Sequence, residues 1–151
     1  MAATAWVFYN AAKNKIGNGT IDLTASTSKF RLALYMSAAS ATVATAGLTI
    51  QSQIGSQVSG GTYPAGGLTL AGVTWGFGAT SAEQKWDCTD PVFTASGSAM
   101  SNVSYGVIVA SVGATSGYPL VWSRLSTAGF DVTTGNTLTV QMNASGIFTL
   151  A

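Results

Sequence analysis

An all-β fold is predicted for this chain of 151 residues: an antiparallel β-sandwich or barrel, jelly-roll-like, with a short N-terminal helix. Three observations predict it. Apolar residues alternate with a period of two from Phe30 onward, glycine-rich turns recur at fairly even spacing, and helical spacing is confined to the residues before Gly17. The length suits one domain with a proper core. Residues 1–151 are therefore expected to form a single β-rich domain, with 1–17 as an N-terminal arm and helix and 37–61 as a long loop.

The helix is expected within Trp6 to Gly17. Tyr9, Ala12 and Ile16 recur at helical spacing, Lys13 and Lys15 fall in the last turn, and Gly17 is placed just past the end, before an Asn18-Gly19 turn. The stretch Phe30 to Met36 reads as a half-buried strand, with Phe30, Leu32, Leu34 and Met36 on one face and Arg31, Ala33 and Tyr35 on the other. Leu68 to Trp75 is strand-like, and Gly72 inside it predicts a bulge or a close backbone approach. Glu83 to Cys88 and Val92 to Ala95 are shorter candidates, the second following an Asp90-Pro91 turn. Met100 to Val112 is the longest strand, with Val103, Tyr105, Val107 and Val109 on one face and Ile108 implying burial on both. Tyr118 to Leu125 follows, with Pro119 at its start. Thr137 to Met142 and Ile147 to Leu150 flank Asn143-Ala-Ser-Gly146 and read as a hairpin with a four-residue connection. The predicted core is Phe30, Leu32, Leu34, Leu70, Val73, Val107, Val109, Leu138, Val140, Ile147 and Phe148. Ser37 to Gly61, with isolated Val43, Leu48, Ile50, Ile54 and Val58, is either an extended functional loop or holds a further strand.

The composition is short of charge. Only 7% of residues are Asp, Glu, Lys or Arg, against about a quarter in an ordinary soluble domain. Gly, Ser, Thr, Asn and Gln interrupt every apolar run well before the roughly 18 residues of a spanning helix, so no membrane partner is expected. A surface with so little charge is expected to lie against copies of itself or a larger partner, which points to a structural component. The net charge is +1 and the cations are scattered, so no nucleic-acid partner is expected either. The start lacks the basic region and long apolar stretch of a secretory signal, which predicts synthesis in a cytoplasm. The sequons at Asn18, Asn102 and Asn143 then carry no glycan. Cys88 is the sole cysteine, so packing must hold the fold without an intramolecular disulfide.

No histidine is present, which excludes Ser-His-Asp chemistry and most zinc sites. Ser26 and Lys29 have the spacing of a Ser-Lys pair, but on a loop, where no helix brings them to one face. Glu83, Asp87 and Asp90 cluster in sequence without a calcium-loop spacing, and Asp87 and Asp90 read as turn initiators. The glycine-rich stretch Gly60 to Gly67 lacks the Lys-Ser/Thr ending of a phosphate loop. Neither catalytic residue, cofactor nor metal is expected, and the chain reads as a non-enzyme. The four Trp and five Tyr are read mainly as core and interface, with carbohydrate stacking as their other use.

The aromatic start, Lys15-Ile-Gly-Asn-Gly-Thr-Ile-Asp-Leu23, Phe30-Arg-Leu-Ala-Leu-Tyr35, Tyr63-Pro-Ala-Gly-Gly-Leu-Thr-Leu70 and Val73-Thr-Trp75 together resemble a family of small tailed-bacteriophage virion proteins. Phe93-Thr-Ala-Ser-Gly97, Tyr105-Gly-Val-Ile108, Pro119-Leu120, Gly135-Asn-Thr-Leu-Thr-Val140 and Gly146-Ile-Phe148 extend the resemblance over nearly the whole chain, with Ser81 to Asp90 matching least. It implies a β-rich module on the virion. Within it the expected role is a capsid decoration or cement protein, made in the host cytoplasm and located on the capsid surface. Its expected partners are the major capsid protein and its own copies, as a dimer or trimer. The alternatives are a tail, head–tail or fibre-associated component, and a carbohydrate-binding surface module. The N-terminal helix or the 37–61 loop would lie across shell joints, and Trp6, Phe8, Tyr9, Ile50, Ile54 and Tyr63 are the expected interface residues.

Overall fold

Two long apolar strands form the centre of the molecule. β2 (Phe30–Met36) and β7 (Met100–Ala110) pair antiparallel, with Ala33 opposite Val107 and Leu34 opposite Gly106. The computed structural model describes residues 5–24, 29–78, 82–111 and 117–150. Around the central pair lie β1 (Val7–Phe8), β3 (Leu68–Thr69), β8 (Tyr118–Arg124) and β9 (Phe130–Val132), giving a sheet ordered β1-β8-β7-β2-β3 with β9 also paired to β7. A second sheet, ordered β11-β5-β4, consists of β4 (Thr74–Phe77), β5 (Gln84–Asp87) and β11 (Phe148–Leu150). A third holds β6 (Val92–Thr94) and β10 (Thr137–Thr139). All pairings are antiparallel, and no sheet closes on itself among the described residues. The fold is all-β, as its alternation predicts, but it is not a closed barrel.

β2 is buried on both faces, where the alternation predicted one. Each face has its own cover. Phe30 meets the Trp86 ring edge-on at 5.0 Å between centroids, while the hydroxyl of Tyr35 accepts a 3.1 Å hydrogen bond from the Gln51 amide. Gln51 belongs to the long segment after β2, which is neither an extended loop nor a strand. It folds into a 3₁₀ turn (Ser37–Ala39), α2 (Ser40–Val43) and a second turn (Gln51–Gln53). It then runs beside β2: Met36 donates to the Ser56 carbonyl, Val58 donates to the Leu34 carbonyl, and Gln57 bridges to Tyr35. Its Val43, Leu48, Ile54 and Val58 are buried, so the isolated aliphatics are core residues carried by an irregular backbone.

The N-terminal helix is shorter than its periodicity suggests. α1 covers Asn10–Gly17, and Trp6 to Tyr9 is extended, with β1 pairing along β8. Gly17 is the last helical residue. The left-handed position is Gly19 (φ +76°), and the Asn18 side chain accepts from the Thr20 amide to close the turn. Ala12 is the buried face, and Lys15 lies over the Tyr118 ring of β8 at 3.9 Å.

The predicted strand from Leu68 to Trp75 is two strands in two sheets. Gly72 (φ +59°) turns the chain between them, and Thr89 lies where a β-carbon would stand, so the close approach expected there is real. The predicted C-terminal hairpin also resolves differently. Its turn forms, with Gly146 donating to the Asn143 carbonyl at 2.7 Å. Its two arms nevertheless pair with successive parts of one distant segment, β10 with β6 and β11 with β5. Val140 donates to the Pro91 carbonyl and Ile147 to the Trp86 carbonyl, so the turn is an outward fold in a long antiparallel pairing. β1 and β9 are strands that alternation did not reveal, each being only two or three residues long. All the predicted core residues are buried except Val73, which is half-buried.

Candidate interaction surface

The four aspartates are occupied by local structure. Asp22 accepts from the amide and hydroxyl of Thr24, which holds its carboxyl below the usual carboxylate range. Asp90 accepts from the Met142 amide at 2.7 Å, Asp131 from the Asn102 amide at 2.7 Å, and Asp87 from the Cys88 amide at 2.9 Å. Asp87 also meets Lys85 at 3.3 Å. Among the described residues no group of three His, Cys, Asp or Glu stands close enough to hold a metal ion. Burial first, then the Asp87 and Asp90 charges, pushes the Cys88 thiol up to about 12, which leaves it protonated and unreactive. Lys29 is exposed and Ser26 lies outside the described residues, as do Ser81 and the predicted strand end at Val112. No helix among the described residues is long and apolar enough to cross a membrane.

The six expected interface residues fall into different settings. Tyr9 and Ile54 are core: Tyr9 is fully buried and its hydroxyl donates to the Val43 carbonyl at 2.8 Å. Tyr63 is half-buried, stacked on Phe93 at 5.8 Å, and its hydroxyl accepts from the Leu34 amide and the Gln57 side chain. Ile50 is half-buried at the start of the second 3₁₀ turn. Trp6 and Phe8 are brought together at the β1 edge of the main sheet. Trp6 lines a hollow of about 320 Å³ with Gln141 and Asn143, and Phe8 packs edge-on against Phe148 at 4.5 Å.

The larger apolar surface lies elsewhere, on the three-stranded sheet. Trp75, Trp86 and Phe148 occupy one cross-strand row, and Phe77, Gln84 and Leu150 occupy the next on the same face. Trp86 and Phe148, stacked at 5.4 Å, face the main sheet. The second row overhangs it: Phe77 is 73% exposed and Leu150 43%. Beside Leu150 runs a groove of about 460 Å³ lined by Phe8, Lys13, Ile16 and Leu150, continuous through Ile16 and Leu150 with a hollow of about 410 Å³ that reaches Trp75.

The ledge ends at an open strand. Gly78 donates to the Glu83 carbonyl at 2.9 Å, which fixes the phase of the β4–β5 ladder. Thr74 and Gly76 therefore aim their amides and carbonyls at β5, and Trp75 and Phe77 aim theirs away from it. Among the described residues no strand pairs with that outer side. Thr74-Trp-Gly-Phe77 carries neither charge nor proline, the usual guards of an edge. The strand expected to end at Trp75 continues to Phe77. The continuing alternation Trp75, Phe77 with a glycine between was the signal that it runs on. No protein-family model, curated protein or solved structure matches the chain.

Proposed function

We propose that this chain is a structural protein of a tailed-bacteriophage virion, a decoration or cement protein that binds the major capsid protein and its own copies on the outside of the shell. The observation that carries the reading is a charge-poor surface whose β4 edge is uncharged, flanked by exposed Phe77 and paired with no other strand on its outer side among the described residues. Such an edge in a free monomer invites uncontrolled pairing, and a lattice of defined neighbours covers it. The resemblance along the chain to small tailed-phage virion proteins supports the same reading. We further read the main sheet and the three-stranded sheet, joined through Phe30 and Trp86, as the two layers of a jelly-roll-like sandwich.

The mechanism is mass action. A protein that binds the assembled shell and not its separated parts stabilises it by RT ln(1 + [L]/Kd) at every site. The contacts are apolar and hydrogen-bonded, with few ion pairs, so salt weakens them little. The test is to wash purified particles at low and high salt and quantify the bound protein. Retention at both, in hundreds of copies per particle, is the expected result. A few copies per particle means a tail or head–tail component, release at high salt means an electrostatic interface, and absence from particles ends the virion reading.

A further inference from the structure

We propose that β4 is a homotypic interface, in which the Thr74–Phe77 edges of two copies pair antiparallel about a two-fold axis at Gly76. The edge specifies its own complement. Its outward amides and carbonyls belong to Trp75 and Phe77, one residue either side of Gly76. Antiparallel self-pairing about Gly76 sets Trp75 opposite Phe77 of the second copy. Each such pair exchanges two hydrogen bonds, and the two-fold doubles them. The side chains agree with the backbone. Trp75 and Phe77 share a face, so each exposed Phe77 covers the exposed part of the other copy's Trp75 as a cross-strand aromatic pair. On the opposite face Gly76 meets its own copy, and no atom stands within 4 Å of where its β-carbon would be. The nearest cation on that face, Lys85, is already held by Asp87 in its own chain, so the two-fold brings no unpaired charge together.

The result is one continuous sheet of six strands, β11-β5-β4 joined to the same three of the second copy. Aromatic side chains bury about 150–250 Å² each. Two Phe77 rings and the exposed parts of two Trp75 rings thus supply at most about 600 Å², below the ~1,200–2,000 Å² of a stable free complex. The pairing is therefore weak in dilute solution and strengthens where copies are held side by side. It rests on the self-contact in the proposed function and not on a virion location, so a failure here leaves the particle-washing result standing.

A disulfide trap captures so weak a pairing. Residues facing each other at a non-hydrogen-bonded antiparallel position have Cα atoms about 4.5 Å apart, within disulfide reach. Gly76→Cys has room for its side chain, and buried Cys88 leaves the parent chain without an accessible thiol. Purified Gly76→Cys protein, mildly oxidised, is expected to form linked dimers about tenfold faster or more than Thr149→Cys, an exposed position on the opposite edge of the same sheet. Adding Phe77→Lys to Gly76→Cys, a change at an exposed side chain, is expected to return the rate to that of Thr149→Cys. Equal rates for the two cysteine variants overturn the interface, as they would if a strand of another protein covers β4. An unchanged rate with Phe77→Lys overturns the register.

Discussion

Trp86 is the residue on which the two larger sheets meet. It is fully buried, sits between Phe30 at 5.0 Å and Phe148 at 5.4 Å, and donates its indole N–H to the Leu23 carbonyl at 3.2 Å. Trp86→Ala removes the packing and the bond together and is expected to cost about 3–5 kcal/mol. Trp86→Phe keeps most of the packing and strands the carbonyl, for about 1–3 kcal/mol. Urea denaturation of the two variants against the parent separates these contributions. Three tyrosines set the alkaline limit. Burial raises the pKa of Tyr9 and Tyr63, and pushes Tyr35 up to about 12 against the Gln51 hydrogen bond, which lowers it. An unfolded tyrosine ionises near 10. The folded chain keeps these protons longer than the unfolded chain does, so the stability they contribute is whole below pH 10 and is lost as pH rises towards 12 and beyond. Cys88, pushed up to about 12 by burial, acts in the same sense from an unfolded pKa of about 8.5, so urea midpoints should be level from pH 7 to about 8, there being no histidine to titrate, then decline gently and fall steeply above 10.

At the scale of elements, the irregular stretch between β2 and β3 is pinned rather than free. The Tyr9 hydroxyl, just before α1, donates to the Val43 carbonyl at the end of α2. Tyr9→Phe is expected to cost about 1–3 kcal/mol by leaving that buried carbonyl unsatisfied. Amide exchange at Ser40 to Val43 should rise more than exchange in β7. An unchanged exchange rate there would mean that burial of Val43 alone holds the segment. This arrangement also marks what the sequence makes readable. Strands of seven residues or more, β2, β7 and β8, declare themselves through period-two apolar patterning. The 37–61 segment buries Val43, Leu48, Ile54 and Val58 at irregular spacing, and no periodicity reports an element whose backbone repeats nothing. Pairing partners are equally silent. Alternation in Thr137 to Met142 gives the strand, but the choice of β6 over the adjacent Ile147 to Leu150 is made by distant carbonyls such as Pro91. The open ledge had the same cause: Trp75 and Phe77 alternate like core residues, and only the register shows one of them overhanging the main sheet.

Across the whole molecule, charge contributes little. The single ion pair seen among the described residues is Lys85–Asp87, and surface pairs of this kind contribute about 0–1 kcal/mol. The melting temperature is therefore expected to move by less than ~2 °C between about 0.05 and 1 M sodium chloride, where screening lengths shrink below ~5 Å. A large salt-dependent shift in a calorimetric scan would reveal a charge network that the packing does not show. Apolar burial through Phe30, Leu34, Trp86 and their neighbours holds the fold instead, and Leu34→Ala is expected to cost about 2–5 kcal/mol.

The pairing of Val7 with Trp122 and of Ala33 with Val107 also sets a clock. Synthesis at about 5–20 residues per second separates the emergence of Val7 from that of Trp122 by roughly 6–23 s. β1 waits on the ribosome through that interval, and Ala33 of β2 waits about 4–15 s for Val107, in a strand whose only charge is Arg31. Neighbouring nascent chains are then rivals for the same hydrogen bonds. Yield in the cell should therefore depend on the rate of translation and on chaperones that mask apolar strands. The finished chain should refold slowly on the scale of small domains, in milliseconds to seconds.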